Sequence, residues 1–244
     1  MERQMDSTRR GLAQVAGAAG LITLGGLWTP ALAAERRSAN KQTNGAAHEE
    51  AQQSVTPPED LMREHGVLDR VLLVYEAAMR RFDAKEDLDP AVITQSAQVI
   101  RDFIENYHEK SEEQHVFPRF TKANKRVDLV GVLLTQHQAG RRVTATILRL
   151  APASRHEGDE RRQLVSAMQA FIAMYRPHAA REDTDLFPQL RELVSANEYD
   201  AMAEEFEKQE RQKFGEDGFE KIVDQVAKLE QSIGINDLSR FTPA

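Results

Sequence analysis

Two stretches of the chain place a histidine four residues ahead of a glutamate, His108-Glu109-Lys110-Ser111-Glu112 and His178-Ala179-Ala180-Arg181-Glu182. Each stretch then runs on to a Phe-Pro pair, Phe117-Pro118 and Phe187-Pro188, in the same register. A step of four on an α-helix passes one full turn by about 40°, so an imidazole and a carboxylate project from one face. Both groups donate lone pairs once deprotonated, and together they converge on one point as metal ligands do. Two more histidines stand in matched settings, Glu64-His65 and Gln136-His137. A single buried histidine is most often a hydrogen-bonded core residue. Four of them beside two glutamates in a repeated pattern are read as one metal site.

The chain of 244 residues is 29% charged, 41% hydrophobic and only 6% aromatic, with a formal net charge of −7. That composition fits one mostly helical domain of ordinary size. With no basic stripe and no aromatic platform, no nucleic-acid partner is expected. Cysteine is absent, so disulfides and thiolate ligands are excluded, and any metal is held by nitrogen and oxygen.

Apolar periodicity predicts four long helices, from about Pro58 to Phe82, Pro90 to Val116, Arg126 to Leu150 and Asp159 to Asp185. Their core stripes contain Leu61, His65, Leu68, Leu72, Tyr75 and Met79 on the first helix, and Ile93, Ala97, Ile100, Ile104, His108 and Glu112 on the second. Val130, Leu133, His137, Thr144 and Leu148 follow on the third, then Leu164, Met168, Phe171, Met174, His178 and Glu182 on the fourth. Pro90 suits a first helical turn, Ala151-Pro152 closes the third helix, and Pro177 is expected to kink the fourth. No stretch reads as a strand. The expected fold is all-α, an up-down-up-down four-helix bundle with extra C-terminal helices. In that topology His65 and His137, near helix starts, meet His108 and His178, near helix ends, at one end of the bundle. Helices one and two also match helices three and four around the ligand residues, so the site has a pseudo-twofold plan.

Around this bundle (57–190) the chain divides further. Residues 1–33 read as an export signal: Arg9-Arg10 precedes an uncharged run closed by Ala31-Leu32-Ala33, a pattern that resembles a twin-arginine signal. Export, cleavage after Ala33 and a periplasmic location without stable membrane insertion are expected, an uncleaved anchor being the alternative. Residues 34–56 are expected to be a polar, disordered linker with His48 in solvent, and 191–244 a C-terminal helical extension, with segments from about Ala196 to Phe214 and Phe219 to Ser232 around a Gly215–Gly218 break.

Histidine and carboxylate without thiolate suit iron, manganese or zinc, and two carboxylates among four histidines suit a pair of ions, with Glu112 and Glu182 bridging. Each imidazole needs a partner on its second nitrogen, for which Asp69 and Asp185 are the candidates. His115 is expected beside the site or in solvent, and His156 in solvent. Phe117 and Phe187 are read most simply as core, with walling the site from water as the alternative. Tyr107 and Tyr175 are expected to pack rather than take part.

The ordered set of His65, His108-x3-Glu112, His137 and His178-x3-Glu182, with its two Phe-Pro endings, resembles the hemerythrin-like, cation-binding HHE family over roughly Pro58 to Leu190. The resemblance implies a four-helix bundle holding two iron ions, oxo- or hydroxo-bridged, that bind O2 or related ligands such as peroxide or nitric oxide. It carries over His65, His108, Glu112, His137, His178 and Glu182 as ligands. One position departs: the oxygen-carrying members have a second histidine one turn after the helix-three histidine, where this chain has Arg141, a cation with no lone pair to give. Glu109 is the candidate replacement, and Arg141 is expected to pair with it or reach solvent. The resemblance therefore points to sensing, iron or oxygen handling or stress protection. An enzyme of peroxidase or ferroxidase type and a metal-free helical interaction module are the alternatives.

Overall fold

A computed structural model describes residues 55–243. The expected export signal and His48 lie outside these residues, as does the linker save Val55 and Thr56. Among the described residues there are six long helices and no strand. They are α1 (Pro57–Asp83), α2 (90–122), α3 (Val127–Leu150), α4 (159–193), α5 (Ala196–Phe214) and α6 (Gly218–Ile233), with short 3-10 turns at Ala151–Ala153 and Leu238–Phe241. None is long and apolar enough to cross a membrane.

Local chemistry starts the helices where the sequence suggests. The Thr56 hydroxyl accepts from the Glu59 N–H ahead of Pro57-Pro58, and Asp89 accepts from Ala91 N–H ahead of Pro90. Both arrangements occupy N–H groups that a first turn leaves without partners, and proline there forfeits nothing. Ser195 and Glu198 form a reciprocal capping box at the start of α5.

Two helices outrun their expected ends. The second continues to Lys122 and the fourth to Leu193, each straight through its Phe-Pro pair. Proline lacks an N–H and its ring crowds the carbonyl four residues back, which is why it reads as a stop. Here the backbone widens first: Phe117 N–H donates to the Glu112 carbonyl, and Phe187 N–H to that of Glu182. These five-residue π turns, Glu112–Val116 and Glu182–Leu186, absorb the ring and let the helix resume. A third π segment, Ile100–His108, leads into the first ligand pair. The backbone also stays α-helical through Pro177 to Arg181.

The apolar stripes are buried almost as predicted, with Leu72, Ile93, Ile100, Leu164, Met168 and Phe171 all fully shielded. They fall into two clusters. The larger holds Leu68, Leu72, Tyr75, Phe103, Ile147 and Phe171, and the smaller holds Leu61, Phe117, Phe120, Leu133, Phe187 and Leu190. Along α1, His65 lies between Leu61 of one cluster and Leu68 of the other, so a polar layer separates two apolar ones. The tail helices complete both clusters: α6 supplies Ile222, Val226, Leu229 and Ile233 to the larger, and α5 supplies Met202 and Phe206 to the smaller. Arg70 on α1 clamps Glu230 on α6 through two hydrogen bonds of 2.9 and 2.7 Å.

Leu229 is 4% exposed within the larger cluster. Leu229→Ala should therefore cost about 2–5 kcal/mol, the range for a core leucine, read as a lower urea midpoint at unchanged slope. A loss under about 0.5 kcal/mol would show that α6 lies on the bundle without sharing its core.

Candidate metal centre

The polar layer gathers the six residues expected to be ligands. His65 on α1, His108 and Glu112 on α2, His137 on α3, and His178 and Glu182 on α4 are each at most 4% exposed. The imidazoles meet in two pairs through their Nε2 atoms, His65 with His108 at 3.0 Å and His137 with His178 at 3.2 Å. Glu112 faces one histidine of each pair, its Oε2 lying 3.6 Å from His108 Nε2 and 3.4 Å from His137 Nε2. Glu182 does the same in mirror fashion, at 3.1 Å from His178 Nε2 and 3.4 Å from His65 Nε2. Each carboxylate thus spans both pairs, as a bridge between two cations would.

Four outer groups set the rings. His108 Nδ1 lies 2.6 Å from Glu64, His65 Nδ1 2.7 Å from Asp183, His137 Nδ1 3.1 Å from Glu113 and His178 Nδ1 2.9 Å from Gln136 Oε1. An acceptor on Nδ1 holds the proton there and leaves Nε2 with a lone pair directed inward. These are not the partners expected from sequence. Asp69 is solvent-exposed, and Asp185 pairs with Arg126 Nη2 at 2.5 Å. The real partners immediately precede or follow a ligand and reach sideways to the neighbouring helix. A sequence signal for them exists, because Glu64 and Gln136 hold equivalent places in the repeat, as do Glu113 and Asp183.

All four carboxylate oxygens of Glu112 and Glu182 are buried without a hydrogen-bond partner. A buried ionised carboxylate left unpaired is costly, several kcal/mol even after relaxation, and in this layer only positive charge at the centre can offset it. The chain's own means are imidazolium protons. Burial pushes His65 down, but Asp183 and Glu182 outweigh it and raise it to about 10. Burial is likewise overcome at His137, which Glu112 and Glu113 raise to about 10. At His108 burial wins and lowers the ring to about 4, leaving it neutral. The two central carboxyls split: burial and the charge of Glu182 raise Glu112, whereas at Glu182 His178 and His65 overcome burial and hold it low. Two triads, His65 with His108 and Glu112, and His137 with His178 and Glu182, each bring their ligand atoms within 4.8 Å of one another. This donor set fits metal ions, which would supply the charge that the carboxylates lack.

Phe187 stacks on His65 at 5.7 Å between ring centroids and Phe117 on His137 at 5.5 Å, so the two aromatic rings do wall the site. His115 faces away, with Nε2 3.2 Å from Gln209 on α5 and its ring edge-on to Phe206. His156 is exposed. The expectation for Tyr175 changes: it does pack, yet its hydroxyl also donates to Glu109 Oε1 at 2.5 Å. Three residues separate it from His178, close enough to one helical turn to put both on the inner face. Glu109 itself is buried, with Arg141 Nη2 2.6 Å from its Oε2 and 2.7 Å from Glu113 Oε1. Arg141 thus pairs with the extra carboxylate, one of the two outcomes its charge allowed. Glu109, Glu113 and His137 bring ligand atoms within 4.8 Å of one another.

Two overlapping segments, residues 56–190 and 128–232, match the family model described as the Hemerythrin HHE cation binding domain. The second match opens within α3, the helix that begins the second half of the repeat. Among curated relatives, Uncharacterized protein Mb2018 of Mycobacterium bovis and Uncharacterized proteins MT2051 and Rv1995 of Mycobacterium tuberculosis are each 50% identical over 191 residues, spanning 78% of this chain and 75% of theirs. No solved structure matches the chain significantly. The family match covers more than half of the sequence and contains every residue of the buried histidine and glutamate layer, so the chain belongs to the hemerythrin HHE cation-binding domain family.

Proposed function

We propose that the protein binds two iron ions in its polar layer and uses them on O2 or related small ligands, peroxide and nitric oxide among them, in sensing, iron and oxygen handling or stress protection. One observation carries this reading: two buried carboxylates with no hydrogen-bond partner, each facing one histidine from either pair. His65 and His108 would hold one ion and His137 and His178 the other, with Glu112 and Glu182 facing both pairs. Glu109 joins the second position in place of the histidine that Arg141 displaces. The up-down-up-down course of α1 to α4 belongs to the same reading, supported by the meeting of histidines from helix starts with histidines from the far halves of α2 and α4.

Bound as a pair, iron would supply reversible electron transfer and open positions for small ligands. What the chain itself does is hold, orient and exclude. Glu64, Asp183, Glu113 and Gln136 fix the imidazole tautomers, so no ring has to turn to present its Nε2. Phe117 and Phe187 close the layer to water on one side, and the larger apolar cluster closes it on the other. In that dry surrounding each charge acts with little screening.

Residues 1–33 direct the protein for export by the twin-arginine route in this reading, a route suited to a protein that folds around its metal before leaving the cytoplasm. Arg9→Lys combined with Arg10→Lys should leave precursor in the cytoplasm by fractionation, and unchanged export would refute the signal. Aerobically purified protein should contain about two irons per chain, with charge-transfer absorption of a bridged pair. Glu112→Ala and Glu182→Ala should each abolish that absorption, whereas His115→Ala should leave iron content nearly unchanged. No iron under replete conditions would sink the proposal, and turnover of added peroxide would identify an enzyme. Removing the metal with a chelator should lower the melting temperature and cost about 4 kcal/mol per ion at ion concentrations a thousandfold above Kd; an unchanged melt would show that the layer needs no cation.

A further inference from the structure

The two halves of the repeat are alike at the ligands and unlike beside them. His65 matches His137 and His108 matches His178, but Leu68 matches Gly140, Asp69 matches Arg141, Glu105 matches Tyr175 and Ala179 matches Glu109. All four differences fall around the His137 end. They also depend on one another. A methyl group at Gly140 would overlap the Tyr175 hydroxyl and lie 2.8 Å from ring carbons Cε2 and Cζ. Only the bare glycine backbone lets the tyrosine ring lie across α3. So placed, the ring packs 5.3 Å from His178 and its hydroxyl reaches Glu109 Oε1 at 2.5 Å. In the other half Leu68, 1% exposed, fills the equivalent place with apolar volume, and Ala179 offers no carboxylate.

The far oxygen of Glu109 shows what this arrangement provides. Arg141 Nη2 stands 2.6 Å from Oε2, yet its N–H groups are directed at Glu113 Oε1 and at the Glu105 carbonyl, and Oε2 is buried with no hydrogen bond. Arg141 compensates the charge of Oε2 at that distance without an aligned N–H, so a lone pair of Oε2 remains for a cation. A carboxylate hydrogen-bonded at one oxygen and only ion-paired at the other is better prepared to ligate than one hydrogen-bonded at both.

We propose that Tyr175, admitted by Gly140, is a positioning residue that secures Glu109 by Oε1 and directs Oε2 to the metal position of His137 and His178, so that the duplicated centre holds its two ions unequally. The proposal rests on the two-ion reading above. Tyr175 touches no ion in it and acts through Glu109 alone.

The test is loss of iron from the loaded full-length protein to a chelator, followed by absorbance. Wild type should release its two ions in two phases of equal amplitude. Tyr175→Phe should speed the slow phase about 10- to 100-fold, the usual effect of removing a ligand's hydrogen-bond partner, and leave the fast phase alone. Glu109→Gln should do the same, and Gly140→Ala should move in the same direction as its methyl expels the ring. Tyr75→Phe, which removes an equally buried tyrosine hydroxyl within the larger apolar cluster, should change neither phase and so separates positioning from general loosening. Equal rates for both ions in wild type, or an unchanged slow phase in Tyr175→Phe, would overturn the proposal while leaving the two-ion reading intact. Loss of a phenolate-to-iron band in Tyr175→Phe would overturn it too, making the tyrosine a ligand. A wild type that takes up no metal would overturn both.

Discussion

The constraint on which the structure turns is negative charge sealed in a place where water cannot reach it. Glu112 and Glu182 are fully buried and unbonded between two pairs of imidazoles. Apolar clusters on both sides remove the solvent that would screen them, and four outer partners hold the histidines in position. Everything in the layer is arranged to receive positive charge. The carboxylates raise His65 and His137, whose protons offset part of that charge in the chain by itself, and the same donors could hold metal ions. The fold therefore does not merely tolerate the site, because the helices would have no reason to carry these carboxylates inward without something to offset them.

Duplication explains how such a site is built economically. A helix pair bearing one His-x3-Glu and one lone histidine supplies half of the ligands, and a second copy supplies the rest about a pseudo-twofold relation. The outer partners obey the same relation: Glu64 answers Gln136, and Glu113 answers Asp183. Symmetry in the ligands and their partners makes its loss around Gly140 conspicuous. Glycine, tyrosine, arginine and glutamate interlock there in a way their counterparts in the first half do not.

Much of this is legible in the sequence, for a definable reason. Helical periodicity marks a face, and a ligand must lie on that face at a common depth, so the six residues emerge from spacing alone. What escapes spacing is anything fixed by the rotation of one helix against another. Asp69 stands one turn from His65 and was the natural partner for it, yet the ring turns to Asp183 on α4. By its place beside the ligand stretch Tyr175 reads as a packing residue, although its reach to Glu109 depends on a missing side chain on another helix. The prolines misled in another way. Their stop signal is real for an α-helix, but a widened turn answers it, and the tail helices α5 and α6 then close over clusters that the four-helix pattern treats as complete.

That widened turn has an angular consequence. Five residues along an α-helix rotate by about 500°, which leaves the fifth side chain about 140° away from the first. Phe117 would then point well aside from Glu112, and Phe187 from Glu182. A backbone that closes its hydrogen bond over five residues turns less per residue and reduces that offset, and both rings lie over histidines of the site. The solvent-facing Pro118 and Pro188 touch neither the glutamates nor the imidazoles. They stand on the solvent side directly after turns whose widening belongs to the layer beneath, which thereby gains its roof.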